Sequence, residues 1–143
     1  MTLLPIPPVD SATDPIGSAA DLQQRWRALM QELGFGERLL RFVFVGPDRR
    51  LLKVLTDVEI GVRPSRRVID DLMQQLSTVV DGLGDGHTVA LLLSRPGRGG
   101  VSIDDRRWCA ALTAAAAHVG VPIEPIFRAN DEALVLVDPG QVR

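Results

Sequence analysis

Apolar positions along this chain follow two rhythms, one of period three to four and one of period one or two. Leu22, Trp26, Leu29, Met30 and Leu33 fall at helical spacing. Ser18 and Asp21 fit a capping box ahead of them and Gly34 a stop, which predicts a helix over 18–34. Residues 38–45 (RLLRFVFV) and 51–60 (LLKVLTDVEI) are β-branched and aromatic, with the turn residues PDRR between them. They predict an antiparallel hairpin. Val68, Ile69, Leu72, Met73, Leu76, Val79 and Val80 form the stripe of a second helix that Ser65 would cap. Residues 88–94 (TVALLLS) are almost continuously apolar, the pattern of a strand covered on both faces. The glycine-rich loop RPGRGG then leads into a third helix from about Ile103 to Val119, ended by Gly120. Residues 122–129 and 132–138 predict two final strands about the turn AND. The order β-β-α-β-α-β-β after an N-terminal helix predicts an α/β domain, a mixed sheet with helices packed on it.

Before Ser18, residues 1–17 contain Pro5, Pro7, Pro8 and Pro15 and no period, which predicts a flexible arm. The rest, 18–143, reads as a single domain with its core over 38–138, and a chain of 143 residues is long enough for one substantial core. The net charge of −2 gives no reason to expect nucleic acid or an anionic membrane as partner. No apolar run is long enough to cross a membrane, and the N-terminus has no signal-peptide pattern. The positive charge is fifteen arginines and one lysine, Lys53, a skew expected of a GC-rich genome. One cysteine, Cys109, cannot form an internal disulfide, and two histidines, His87 and His118, leave no Cys/His cluster for zinc. These features predict a cytoplasmic protein with no cofactor.

The stretch from Leu93 to Pro122 carries a resemblance. Leu93-Ser94-Arg95-Pro96 ends a strand, Gly97-Arg98-Gly99-Gly100 forms a loop, Ser102-Ile103-Asp104-Asp105 opens a helix, and Gly120-Val121-Pro122 leads out of it. This order resembles the RadC-like branch of the JAB (MPN, JAMM) metalloprotease-like family, over roughly residues 38–138. The resemblance implies a JAB/MPN-like architecture related to cytidine deaminases. In active members the strand ends in His-x-His-Pro. Those two histidines and the aspartate of Ser-x-x-Asp hold zinc, and a glutamate before the first strand takes a proton from the bound water. Carried onto this chain, the histidine positions are Leu93 and Arg95, the serine and aspartate are Ser102 and Asp105, and Glu37 is the candidate glutamate. The chain therefore resembles a degenerate bacterial member, a pseudoenzyme. The family's association with DNA repair comes with the resemblance, but without a basic stripe no DNA binding is predicted.

The chemistry of the residues agrees with that loss. Leu93 has no lone pair and Arg95 stays protonated, so neither can ligate a metal. His87 precedes the strand, at the end away from the loop. His118 lies about four turns along the helix from Asp105, roughly 20 Å at 1.5 Å per residue. Zinc-dependent hydrolysis is disfavoured and the expectation is a non-catalytic binding or regulatory module with an unknown protein partner. Two alternatives stay open. Arg95, Arg98, Ser102 and Asp105 could bind a small phosphate-bearing ligand at the helix N-terminus. Glu37, Ser102 and Asp105 could serve a hydrolase of non-standard chemistry. Against both stands the ordinary use of Ser-x-x-Asp as a capping box, with the aspartates neutralising the arginines. Cys109 reads as a small buried side chain, and Trp26 and Trp108 as packing residues. The final strand or the N-terminal helix could support a homodimer.

Overall fold

A computed structural model describes residues 6–138. A five-stranded mixed sheet forms the middle layer, in the order β2-β1-β3-β4-β5. Its strands are β1 (Leu39–Val45), β2 (Leu51–Glu59), β3 (Thr88–Ser94), β4 (Phe127–Ala129) and β5 (Leu134–Leu136). β1 is antiparallel to both β2 and β3, β3 and β4 are parallel, and β4 and β5 are antiparallel. Helices α2 (Arg66–Leu83) and α3 (Ile103–Val119) cover one face, and α1 (Ala19–Met30) covers the other.

β3 shows why its sequence lacks alternation. Val89, Leu91 and Leu93 pack under α2 and α3 with Trp108, Cys109 and Leu112. Ala90 and Leu92 pack under α1 with Leu22 and Trp26. Every residue of the strand after Thr88 is buried, so both faces must be apolar. A parallel partner needs a crossover connection, and α3 supplies it between β3 and β4.

The mixed α/β class and the order of elements match the sequence reading, and several boundaries do not. Ser18 accepts from the Asp21 amide at 3.1 Å, but the Asp21 carboxylate takes the Gly17 amide at 2.8 Å instead of closing the box on Ser18. α1 ends at Gln31, whose φ of 55° turns the chain before Gly34 is reached. Residues 9–16, expected within a flexible arm, pack against the sheet. Val9–Thr13 forms a 3-10 turn, Ala12 and Ile16 are buried, and the Ile16 amide donates to the Arg49 carbonyl at 2.8 Å. Residues 1–5 of that expected arm, and 139–143, lie outside the described residues. The last two strands are three residues each, shorter than their apolar runs. Pro122 and Pro125 lack the N–H a ladder needs, and only Ile123 bridges to Val89 before β4 begins.

Candidate functional site

The C-terminal end of β3 gathers most of the residues singled out by sequence. The ladder between β1 and β3 sets Leu39 beside Ser94, so Glu37, just before β1, lies at this end of the sheet. Glu37 is exposed there. Leu93, Arg95 and the start of α3 lie on one face of the sheet. Leu93 packs in the cluster beneath α2 and α3, and the Arg95 side chain reaches the N-terminal turn of α3.

What Arg95 does there is the central feature of the corner. Its Nε donates to Asp105 Oδ1 and its Nη2 to Asp105 Oδ2, both at 2.9 Å. The planar fork of a guanidinium matches the two oxygens of a carboxylate, so the pair is bidentate. Asp105 is 3% exposed, and the Arg95 side chain is 11% exposed. Ser102 caps α3 by accepting from the Asp105 amide at 3.0 Å, while Asp105 Oδ2 accepts from the Ser102 amide at 2.9 Å. The capping box expected of Ser-x-x-Asp is therefore complete. Burial alone would raise the Asp105 carboxyl. The Arg95 hydrogen bonds, the Ser102 amide and the charges of Arg95 and Arg128 outweigh it and hold the group below the usual carboxylate range. Hydrogen bonding to Asp105 raises Arg95 further.

Arg128 was missed by sequence reasoning. It is the middle residue of β4, opposite Leu93 across the parallel ladder, and it is 0% exposed. Its Nη1 lies 3.6 Å from Asp105 Oδ2 and donates to the Gly99 carbonyl at 3.3 Å. Its Nε is buried with no hydrogen-bond partner among the described residues, and burial lowers its pKa. Two arginines thus share one carboxylate. The signal available in sequence was an arginine between Phe127 and Ala129 in an otherwise apolar strand, where a buried charge demands a partner.

The turn AND, legible only as a turn, is what closes the glycine loop. The Asn130 side-chain amide donates to the Gly99 carbonyl at 2.9 Å. Asp131 accepts from the amides of Gly97 at 2.8 Å and Phe35 at 3.0 Å, which lowers its pKa. Glu132 accepts from the Gly99 amide at 3.3 Å. The amides that could have cradled an anion at Gly97 and Gly99 are thus taken within the chain. Gly97 and Gly99 have φ of 103° and 96°, which L side chains rarely adopt. Arg98 is exposed on this loop, and Asp104 pairs loosely with Arg107 at 3.6 Å. On the opposite face of the sheet, Arg41 Nε donates to the buried Ser94 hydroxyl at 3.0 Å.

The zinc set of the resembled family does not fit these residues. Leu93 is a core side chain, and Arg95 occupies the carboxylate that would be the third ligand. Among the described residues no group of three His, Cys, Asp or Glu could hold a metal. His87 meets the Gly84 carbonyl at 3.0 Å at the far end of β3, and His118 is in the last turn of α3. Cys109 is buried, and desolvation raises its thiol to about 11. Both tryptophans are buried, and Trp108 Nε1 donates to the Val62 carbonyl at 3.0 Å. A groove of about 570 Å³ lies elsewhere, between α2 and α3, lined by Arg66, Asp70, Ala111, Ala115 and His118 among others. None of the expected site residues borders it.

A second polar knot, also missed, ties the opposite end of the sheet. Arg49 donates to both oxygens of Glu124, at 3.0 and 2.7 Å, and Thr88 donates to Glu124 at 2.7 Å. These bonds join the β1–β2 turn, the start of β3 and the segment before β4.

Sheet and corner together define a three-layer mixed α/β domain in which Asp105, the one buried carboxylate among the described residues, is paired with arginines. No family model, curated protein or solved structure matches this chain. No helix of the described residues is long and apolar enough to cross a membrane.

Proposed function

We propose that this chain is a RadC/JAB-like, cytidine-deaminase-related domain that performs no zinc chemistry and works as a cytoplasmic binding or regulatory module. The observation that carries the reading is the bidentate Arg95–Asp105 pair. A positive charge stands where the resembled family has a histidine ligand, and it engages the same carboxylate. The element order, the shared face of Leu93, Arg95 and Asp105, and the position of Glu37 at that end of the sheet support the family resemblance. The test is a zinc titration of the chain and of a Leu93→His, Arg95→His variant, read by calorimetry and thermal melting. The chain itself gains no stability from zinc, whereas the variant binds it through the two histidines and Asp105. Zinc stabilisation of the unaltered chain would refute the metal-free reading. A folded double variant that ignores zinc would refute the family reading.

A phosphate-bearing small ligand is the second reading, and one observation favours it. Arg98 is exposed on the loop beside Arg95 and Arg128, while Asp105, Asp131 and Glu132 balance the charges of these three arginines. Such a ligand has to draw Arg95 away from Asp105 or bind through Arg98 alone. Stabilisation by inorganic phosphate that an Arg98→Ala variant loses is the expected result; equal stabilisation of both removes this reading.

A further inference from the structure

Residues 7–16 lie in a cleft with two walls. One wall is α1, and the other is the β1–β2 turn with the start of β2. Donors from both walls reach the main chain of this segment. From α1, Arg25 Nε donates to the Asp14 carbonyl at 3.1 Å and Arg25 Nη2 to the Pro15 carbonyl at 3.3 Å. Gln31, at the end of α1, donates to the Pro7 carbonyl at 3.2 Å. From the turn, Arg49 Nε donates to the Ile16 carbonyl at 3.3 Å and Arg50 Nη1 to the Thr13 carbonyl at 3.1 Å. In return the Ile16 amide donates to the Arg49 carbonyl at 2.8 Å.

A seat of this kind reads backbone more than sequence. Every residue has a carbonyl, and Pro7, Pro8 and Pro15 bring no amide that needs a partner. The backbone is polyproline-like at Pro8 (φ −58°, ψ 142°) and at Asp14 (φ −67°, ψ 154°). Of residues 7–16 only Ala12 and Ile16 are buried, four apart. Ile16 packs in one cluster with Leu22, Trp26, Val45 and Leu51. A segment that buries two side chains opens at a lower free energy than the core beneath it. Its departure uncovers an apolar floor and frees the donors of Arg25, Gln31 and Arg50.

We propose that this cleft is a docking site for a proline-bearing segment of another protein, and that residues 7–16 are its internal competitor. The partner segment is polyproline-like with one tight turn, and it sets two small apolar side chains four residues apart, as Ala12 and Ile16 are set. Its carbonyls take the donors that Pro7, Thr13, Asp14 and Pro15 now occupy. This gives the binding module a partner class. The cleft lies at the end of the sheet away from the Arg95–Asp105 corner, so failure of either reading leaves the other standing.

The test uses the full chain and a synthetic peptide of residues 6–17. Ile16→Asp puts a charge into an apolar cluster, so the segment leaves its cleft. Calorimetry is expected to show one peptide bound per Ile16→Asp chain. Binding is at least about ten times tighter than to the unaltered chain, whose own segment competes at a millimolar effective concentration. A peptide that itself carries Ile16→Asp does not bind. Arg25→Ala with Arg50→Ala, added to the Ile16→Asp chain, abolishes binding of the unaltered peptide. Hydrogen exchange of the unaltered chain gives a second readout. The Ile16 amide is expected to exchange faster than the amides of β1 and β3 and with little dependence on urea. An Ile16→Asp chain that folds by circular dichroism and ignores the peptide overturns the proposal. So does an Ile16→Asp chain that fails to fold, or an Ile16 amide that exchanges as slowly as the strands with the same urea dependence, since each makes residues 7–16 an integral part of the core.

Discussion

Replacing Arg95 by alanine removes one partner of a buried ion pair and leaves the other in place. Asp105 is 3% exposed and cannot rehydrate without opening the start of α3. Breaking a buried pair on one side costs about 3–5 kcal/mol, because the remaining charge stays desolvated. Two contacts moderate the loss here. The Ser102 amide still donates to Asp105 at 2.9 Å, and Arg128 stays 3.6 Å away. The expected cost is therefore the lower end of that range, about 3 kcal/mol. For a domain near this size, that lowers Tm by roughly 10 °C. Arg95→Lys keeps the charge but loses the fork, and an intermediate loss of about 1–2 kcal/mol is expected. Asp105→Ala is the most damaging of the three. It removes the counter-charge of Arg128, which is 0% exposed and cannot turn to solvent, and it also removes the half of the capping box in which Asp105 accepts from the Ser102 amide. Urea unfolding read by tryptophan fluorescence measures all three, since Trp26 and Trp108 are both buried in the folded chain. An Arg95→Ala loss below about 0.5 kcal/mol would mean that the pair behaves as an exposed salt bridge. It would refute the claim that the corner is held closed by charge.

Three further outcomes are expected. Arg49 sits at φ 63° in the β1–β2 turn, so Arg49→Gly relieves backbone strain while losing both bonds to Glu124. With Arg49 partly exposed, the expected net loss is about 1 kcal/mol, smaller than for Arg49→Ala, measured by the same urea unfolding. Stability falls in acid. Asp105, Glu124 and Asp131 all have folded pKa values lowered below their ordinary ones. Their contribution is complete above the unfolded values of about 3.9 for Asp and 4.3 for Glu, and it disappears as pH falls through the lower folded values. Thermal melts are therefore flat from neutral pH down to about 5 and drop steeply below 4. Melts that stay flat through that range would contradict the lowered values. Cys109, buried with its thiol raised to about 11, reacts with a disulfide reagent at pH 8 only as fast as the chain unfolds, so the rate rises with urea.

Local pattern was enough to reveal each major helix and the first three strands. The continuous apolar run of β3 correctly implied cover on both faces, and Ser102 with Asp105 correctly implied a capping box. The final strands were overdrawn because apolar content over 122–138 was read without weighing Pro122 and Pro125, which interrupt the ladder. The N-terminal stretch was underdrawn for the opposite reason. Its prolines hide any period, yet Ala12 is buried and Ile16 packs in one cluster with Leu22, Trp26 and Leu51. Leu93 and Arg95 could be judged unfit for zinc from side-chain chemistry alone, because the lack of a lone pair and a permanent charge are properties of the residue. Where Arg95 points its charge could not. That answer requires the parallel pairing of β3 with β4, which brings Arg128 from a distant segment to the same carboxylate, and the turn at 130–132 that closes Gly97 and Gly99. The amino-acid sequence by itself determined the elements, their order and the absence of metal-ligand chemistry at Leu93 and Arg95, since these follow from local periodicity and side-chain type. The tertiary structure alone decided which charges neutralise one another and where residues 9–16 pack, since both depend on contacts between residues far apart in the chain.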